Sequence, residues 1–325
     1  MKKNILLGVC LCVVGGLLAS CSISSSTMDE TSLSSTKTNT TISSLPTTDR
    51  AGETIVIPEN LTKIVSLVPS VTQVLEDLGK SQKLIGIDNQ SQLKNTKQEV
   101  TQFDMMAIDQ ETLLALEAQV VFVSDINLYA DTEIWDKLKK AGVTIINIPT
   151  SDTLEAIEED VQFIADCVGQ HEQGATLVQK MQADIEQLKT MGESIKQKKT
   201  VSFEVAALPG IYSFGKDVFL DDMLVTIGAK NVYHDQTGWL AITEESAIER
   251  NPDVIFTNVT YIDDPVTEIL SRKGWSEVTA VKDKAIYPID NAASSIPNHH
   301  VVEAMKEMAK TLYPEEFAKL TFSHD

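Results

Sequence analysis

Apolar residues fall into two rhythms along most of this chain. Residues 63–68, Lys-Ile-Val-Ser-Leu-Val, are a short, mostly apolar stretch that reads as a buried strand ended by Pro69. Residues 71–78 follow with helical spacing and stop at Gly79, a helix-ending signal. The strand signature returns at 84–87, 120–123 and 143–148, and the helical one at 108–116 and 134–140, before Gly142. Strands that alternate with short helices imply a parallel, wound sheet. Leu154, Ile157, Val161, Ile164 and Val168 then recur three and four residues apart, and after Gly169 so do Val178, Met181, Ile185 and Leu188. A single helix over 171–197 would reach about 40 Å at 1.5 Å per residue. That length crosses from one globular lobe to another. The alternation then restarts, with strands at 201–205, 254–256 and 285–288 and helices at 220–227, 243–250 and 301–312.

These patterns predict an α/β fold of two Rossmann-like lobes with parallel-type sheets. The lobes cover 55–150 and 199–325, and a linker over 151–198 contains the long backbone helix. The ligand cleft is expected between the lobes, because open α/β sheets bind outside the carboxyl ends of their strands.

The first 54 residues follow neither rhythm. Residues 1–20 read as an export signal: Lys2 and Lys3 lead an apolar run over 5–18 that is short for a bilayer span. Leu18-Ala19-Ser20-Cys21 resembles the bacterial lipobox, in which the cysteine takes a thioether lipid and becomes the new N-terminus. Residues 21–54 are then a lipidated Cys21 and a tether, since 17 of the 27 residues in 22–48 are Ser or Thr and cannot bury a core. The expected location is the extracytoplasmic face of the cell membrane.

Charge narrows the partners. The 325 residues hold 27 Lys or Arg against 47 Asp or Glu, a net charge of −20. Such a chain repels phosphate, so no nucleic acid partner is expected. Cys10 and Cys12 leave with the signal and Cys21 is the anchor, so Cys167 stays alone in an apolar helical stripe as a buried small hydrophobe. No Gly-x-Gly-x-x-Gly, Gly-x-Ser-x-Gly or Cys-x-x-Cys motif occurs in the mature chain, and Gly210 to Lys216 spells Gly-x-x-x-x-Gly-Lys without the Ser or Thr that completes a phosphate loop, since Asp217 follows; no enzymatic activity or cofactor is expected. A cell-surface enzyme of glycosyl transfer or similar chemistry is the alternative that two α/β lobes leave open. A Zn or Mn receptor is another, although residues 60–150 contain no histidine to supply ligands.

The two halves also repeat each other. Ile108-Asp109-Gln110-Glu111 leads through a helix to Val120-Val121-Phe122, and Ile242-Thr243-Glu244-Glu245 leads through a helix to Val254-Ile255-Phe256, at a constant offset of 134 residues. An anchored, two-lobed α/β chain with one long helix resembles the class III solute-binding proteins of ABC importers, whose ligands are cobalamin, haem and ferric siderophores. The resemblance covers roughly 55–318. It rests on residues 63–75 with Leu78-Gly79, on Ile242-Thr243-Glu244-Glu245 with Asn251-Pro252-Asp253-Val254-Ile255, and on Leu312-Tyr313-Pro314-Glu315. Glu117-Ala118-Gln119 departs from the Pro-Asp pair usual at that turn.

The resemblance implies partners: an ABC permease with its ATPase, a small-molecule ligand, and the membrane through the lipid anchor, with the protein itself a monomer. It places permease docking on Glu111 and Glu245, although a carboxylate in a first helical turn also suits the helix dipole. The cleft loops carry Pro69, Met105, Met106, Tyr129, Tyr212, Phe214, Trp239, Tyr261 and His299. Aromatic and thioether side chains suit a large flat ligand. Tyr212 and Trp239 match aromatic positions of cobalamin receptors, and Met106 matches the methionine that ligates haem iron in haem receptors. The second axial position falls near Thr260, with Tyr261 adjacent and His299 or His300 as further candidates. The only arginines are Arg50, Arg250 and Arg272, none on an expected cleft loop. A corrinoid or haem is therefore favoured over a strongly anionic siderophore.

Overall fold

The computed structural model describes residues 45–94, 98–130, 133–318, 320 and 322. The export signal, Cys21 and most of the expected tether lie outside the described residues. Among those described, no helix is long and apolar enough to cross a membrane.

The first lobe runs β1 (Ile64–Ser66), α1 (Pro69–Asp77), β2 (Leu84–Asp88), β3 (Thr101–Phe103), α2 (Gln110–Ala115), β4 (Val120–Val123), α3 (Asp125–Ala130), α4 (Glu133–Lys140) and β5 (Thr144–Asn147). Its strands form one parallel sheet in the order β3-β2-β1-β4-β5. Side chains alternate across it. Ile64, Val120 and Phe122 enter the core under α1, while Val65, Val121 and Val123 enter a second core with Leu113, Trp135 and Leu138. A sheet covered on both faces explains why its strands read as continuous apolar runs.

Two helices follow, α5 (Leu154–Cys167) and α6 (His171–Ser194). The second lobe then runs β6 (Thr200–Glu204), β7 (Ile211–Phe214), α7 (Phe219–Thr226), β8 (Lys230–Asn231), β9 (Trp239–Ile242), α8 (Glu244–Arg250), β10 (Val254–Thr257), α9 (Pro265–Leu270), α10 (Thr279–Lys282), β11 (Ile286–Pro288), α11 (Asn291–Ser295), α12 (Val301–Leu312) and α13 (Pro314–Phe317). Its parallel sheet has the order β8-β6-β10-β11, which is the β2-β1-β4-β5 order of the first lobe. The repeat seen in the sequence extends to backbone detail. Asp109 and Thr243 both cap the next helix with their side chains, and Glu117 and Asn251 both turn left-handed, at φ 50° and 44°. Where the sequence departs from Pro-Asp, Gln119 does the work of Asp253. Its side-chain oxygen accepts the Lys63 backbone N–H at 3.0 Å, as Asp253 accepts that of Thr200 at 2.8 Å.

The crossing between lobes is shared by two helices. Leu154 and Ile157 of α5 join the second core, while Val161, Ile164 and Cys167 join the first. In α6 the order reverses, with Val178 against the first core and Met181 and Leu188 in the second. The helix ends at Ser194 because Ile195 is extended, so its 24 residues span about 36 Å.

The folded body begins before Ile55. Asp49 is buried and accepts the Asn147 backbone N–H at 3.0 Å, and the Arg50 Nε donates to Asp160 at 2.6 Å. Residues 45–54 therefore leave the tether for the lobe, a correction that the Ser and Thr content had hidden. Four polar contacts from Asp49 and Arg50 hold this segment to the lobe, and Leu45 packs against the first core.

Candidate functional site

The carboxyl ends of the first lobe's strands open on a cavity of about 200 Å³. Val68, Pro69 and Ser70 after β1, Met105 after β3, Ser124 and Ile126 after β4, and Ile148, Pro149 and Thr150 after β5 line it. The second lobe closes it with Ser295, Ile296 and Pro297. Buried amides fix these loops. Asn127 donates to the Met105 carbonyl at 3.2 Å and accepts the Ser124 N–H at 2.8 Å. Asn258 donates to the hydroxyls of Ser294 and Ser295 at 3.0 and 2.9 Å. Pro69 opens α1 with a valine before it, so no side chain caps the first-turn amides beside the cavity. Asp160, also in the wall, is pushed upward in pKa by burial, against the hydrogen bonds from Ser151 and Arg50.

The expected site residues divide into three groups. Pro69 and Met105 line this floor. Met106, Tyr129, Tyr212, Trp239 and Tyr261 are exposed on segments that follow or flank the strands, the first two on one lobe and the other three on the other. An antiparallel pair that the sequence reading missed carries two of them: β7 and β9 align Phe214 with Trp239 and Tyr212 with Ala241. The Tyr261 hydroxyl accepts the Ala207 N–H at 2.8 Å, which fixes its ring at the surface.

Phe214 and His299 stand elsewhere. Phe214 is fully buried in the second core, edge-on to Trp239 at 6.1 Å; it shares a strand face with the exposed Tyr212, but its end of β7 is packed against Phe203, at 5.7 Å between ring centroids. His299 faces a separate hollow at the far end of α1, with Asp77 and His300. Its Nε2 lies 3.0 Å from the Asp77 carboxylate, and burial pushes its pKa down against that contact. Burial would raise Asp77, but the two histidines hold it below the usual carboxylate range. Residues 148–150 and Asp160 were absent from the expectation, although the Pro149-Thr150 pair directly after a strand was the available signal.

All three arginines are committed to carboxylates, and only Arg50 reaches the cavity wall, through Asp160. Arg50 bonds Asp160 and Glu159, Arg250 bonds Asp235, and Arg272 grips Glu204 and Glu268. Glu111 and Glu245 occupy the same position in the equivalent helices α2 and α8. Both are exposed and neither forms an ion pair among the described residues.

Comparison with known proteins adds to this geometry. Residues 64–293 match the family model described as periplasmic binding protein. An uncharacterized ABC transporter substrate-binding lipoprotein, YvrC of Bacillus subtilis, is 28% identical over 98% of this chain and 99% of its own. The periplasmic haem-binding protein HutB of Vibrio cholerae superposes with a TM-score of 0.71 at 21% identity, over 78% of this chain and 100% of that one. The molybdate-binding protein MolA of Haemophilus influenzae, solved with molybdate, gives 0.71 at 22% identity, over 85% and 93% of the two chains.

Proposed function

Because the chain belongs to the periplasmic binding protein family and is a substrate-binding protein of an ABC transporter, we propose that it captures a broad, weakly anionic macrocycle, haem or a corrinoid, between its lobes. The observation that carries this reading is the pairing of exposed aromatic and thioether side chains on both lobes with arginines that are all spoken for. Ring faces and a polarisable sulfur suit a flat ligand. Met106, Tyr129, Tyr212, Trp239 and Tyr261 form the walls, and Pro69 with Met105 the floor. For haem, Met106 and Tyr261 are the residues offered to the iron. Phe214 supports Trp239 from beneath, and His299 is left out of the cleft.

Cys21 carries the lipid anchor in this reading, and the protein works as a monomer on the extracytoplasmic face. Glu111 and Glu245 dock it on the permease, one carboxylate per lobe, as rim charges steer association. Reversing both to Lys is expected to abolish uptake while ligand affinity stays within about twofold, since neither lies at the cavity. Uptake that survives the double reversal would remove them from docking.

The ligand is tested by titrating the purified chain with haem, with cobalamin and with molybdate. A shifted Soret band or co-elution of the red corrinoid is expected. Trp239→Ala should weaken that binding at least tenfold, as loss of a large stacked ring does. Tight calorimetric binding of molybdate, with neither macrocycle retained, would overturn the proposal in favour of the small oxyanion that MolA binds.

A further inference from the structure

Helix α1 runs along the boundary between the lobes, and its two ends meet different hollows. Its first residue, Pro69, lines the cavity described above. In its middle, the Gln73 side chain accepts a hydrogen bond from Asn298 of the other lobe at 2.6 Å. Its last residue, Asp77, lies about 12 Å from Pro69 along the helix axis, at 1.5 Å per residue. There it meets His299 and His300, which directly precede α12.

The three side chains converge on one point. The Asp77 Oδ2 stands 3.0 Å from the His299 Nε2 and 2.7 Å from the His300 Nε2, so both rings address the same oxygen. One donor atom from each residue lies within 4.8 Å of the others. The two rings lie against each other, tilted by 35°, with centroids 4.2 Å apart. Tetrahedral ligands at zinc distances of about 2.0–2.1 Å stand roughly 3.3 Å apart, so from 3.0 and 2.7 Å the carboxylate oxygen has to draw back from the two nitrogens by only about half an ångström. His299 is nearly buried, whereas Asp77 and His300 keep a third or more of their side chains in solvent. That leaves a path for an ion and room for water as a further ligand.

Ordinary pairing does not use up the polar groups here. The hollow of about 260 Å³ beside the cluster also receives Asp184, whose Oδ1 is buried without a hydrogen-bond partner, and the His299 Nδ1 is likewise buried and unpartnered. The remaining histidines of the described residues each meet a single carboxylate, His171 with Asp166 and His234 with Asp221.

We propose that Asp77, His299 and His300 form a site for one divalent transition-metal ion, best matched by Zn²⁺, that clamps the two lobes at the end of α1 remote from the cleft. Two imidazoles and a carboxylate are the donors that zinc and its neighbours prefer. The ion would be a structural tie and not the transported ligand, because the cluster shares no residue with the cavity lining. The carboxylate comes from one lobe and both imidazoles from the other, so metal binding requires the lobes to be apposed.

The test uses the full chain without added histidines, stripped with a chelator and titrated with Zn²⁺, and in parallel with Co²⁺. One equivalent of Zn²⁺ is expected, with a tetrahedral Co²⁺ absorption band. Zn²⁺ should raise the unfolding midpoint, and the chelator should reverse the rise. His300→Gln and Asp77→Asn should each weaken binding at least tenfold and cancel the zinc-dependent rise. A triple variant lacking His171, His234 and His324 should bind as the parent does. His300→Gln changes a partly exposed side chain, so its folding can be checked by circular dichroism before titration. No zinc bound at 100 μM would overturn the proposal, as would undiminished binding by a folded His300→Gln or loss of binding in the triple variant.

Discussion

Arg272 is a surface residue type held in the interior. Its side chain is 1% exposed, it meets Glu204 at 2.7 and 2.9 Å and Glu268 at 2.7 Å, and its guanidinium lies 4.7 Å over the Trp275 ring. Burial alone would lower its pKa, but the two carboxylates raise it above the usual arginine value. Arg272→Met would leave Glu204 charged and buried without a counter-ion, at a cost of about 3–5 kcal/mol. Urea unfolding measures this, and a wild-type midpoint in the variant would refute the role. The sequence placed Arg272 off the cleft, four residues after Glu268, but offered no sign of Glu204, which lies 68 positions away. Phe214 teaches the converse. It shares a strand face with the exposed Tyr212 and pairs with the exposed Trp239, so what packs over its end of the strand, Phe203, decides that it is buried.

At the level of elements, α6 is held by two glycines that propensity alone would disfavour. A Cβ at Gly174 would stand 2.3 Å from the Ala165 Cβ of α5, and one at Gly192 would stand 2.3 Å from the Thr226 carbonyl oxygen. The helix thus approaches α5 near one end and the end of α7 near the other. Helix propensity predicts that Gly192→Ala stabilises by about 1 kcal/mol. The packing predicts the opposite sign, a loss of about 1–3 kcal/mol, because backbone atoms have little freedom to give way. The denaturation midpoint separates the two. The inner parallel strands were legible because both faces are buried and their residues are mostly apolar, whereas the short, polar edge strands β3 and β8 were not. The β7–β9 pair was not, although β9 is apolar throughout, because its two strands lie far apart in the sequence with no tight-turn signal joining them.

For the whole molecule, α5 and α6 each carry side chains into both cores, so moving one lobe against the other would pull four packed surfaces apart. The Gln73–Asn298 bond and the Asp77 cluster add contacts along α1. Ligand loading is therefore expected to change the radius of gyration by less than about 1 Å, as for preorganised binding partners. Small-angle scattering on free and loaded protein measures it, and a compaction of several ångströms would show a hinge that these helices were argued to prevent.

Periodicity and punctuation were sufficient to establish from the sequence the two α/β lobes, their internal repeat and the helices between them, because burial on a regular element repeats every two or every three to four residues. The same residues also marked Pro69 and Met105 as belonging to loops at strand ends. Tertiary structure alone decided that Phe214 faces inward, that residues 45–54 join the lobe, and that His299 and His300 meet Asp77, more than 220 positions away. Such meetings depend on how whole elements are placed in space, and no local pattern along the chain encodes the distance between them.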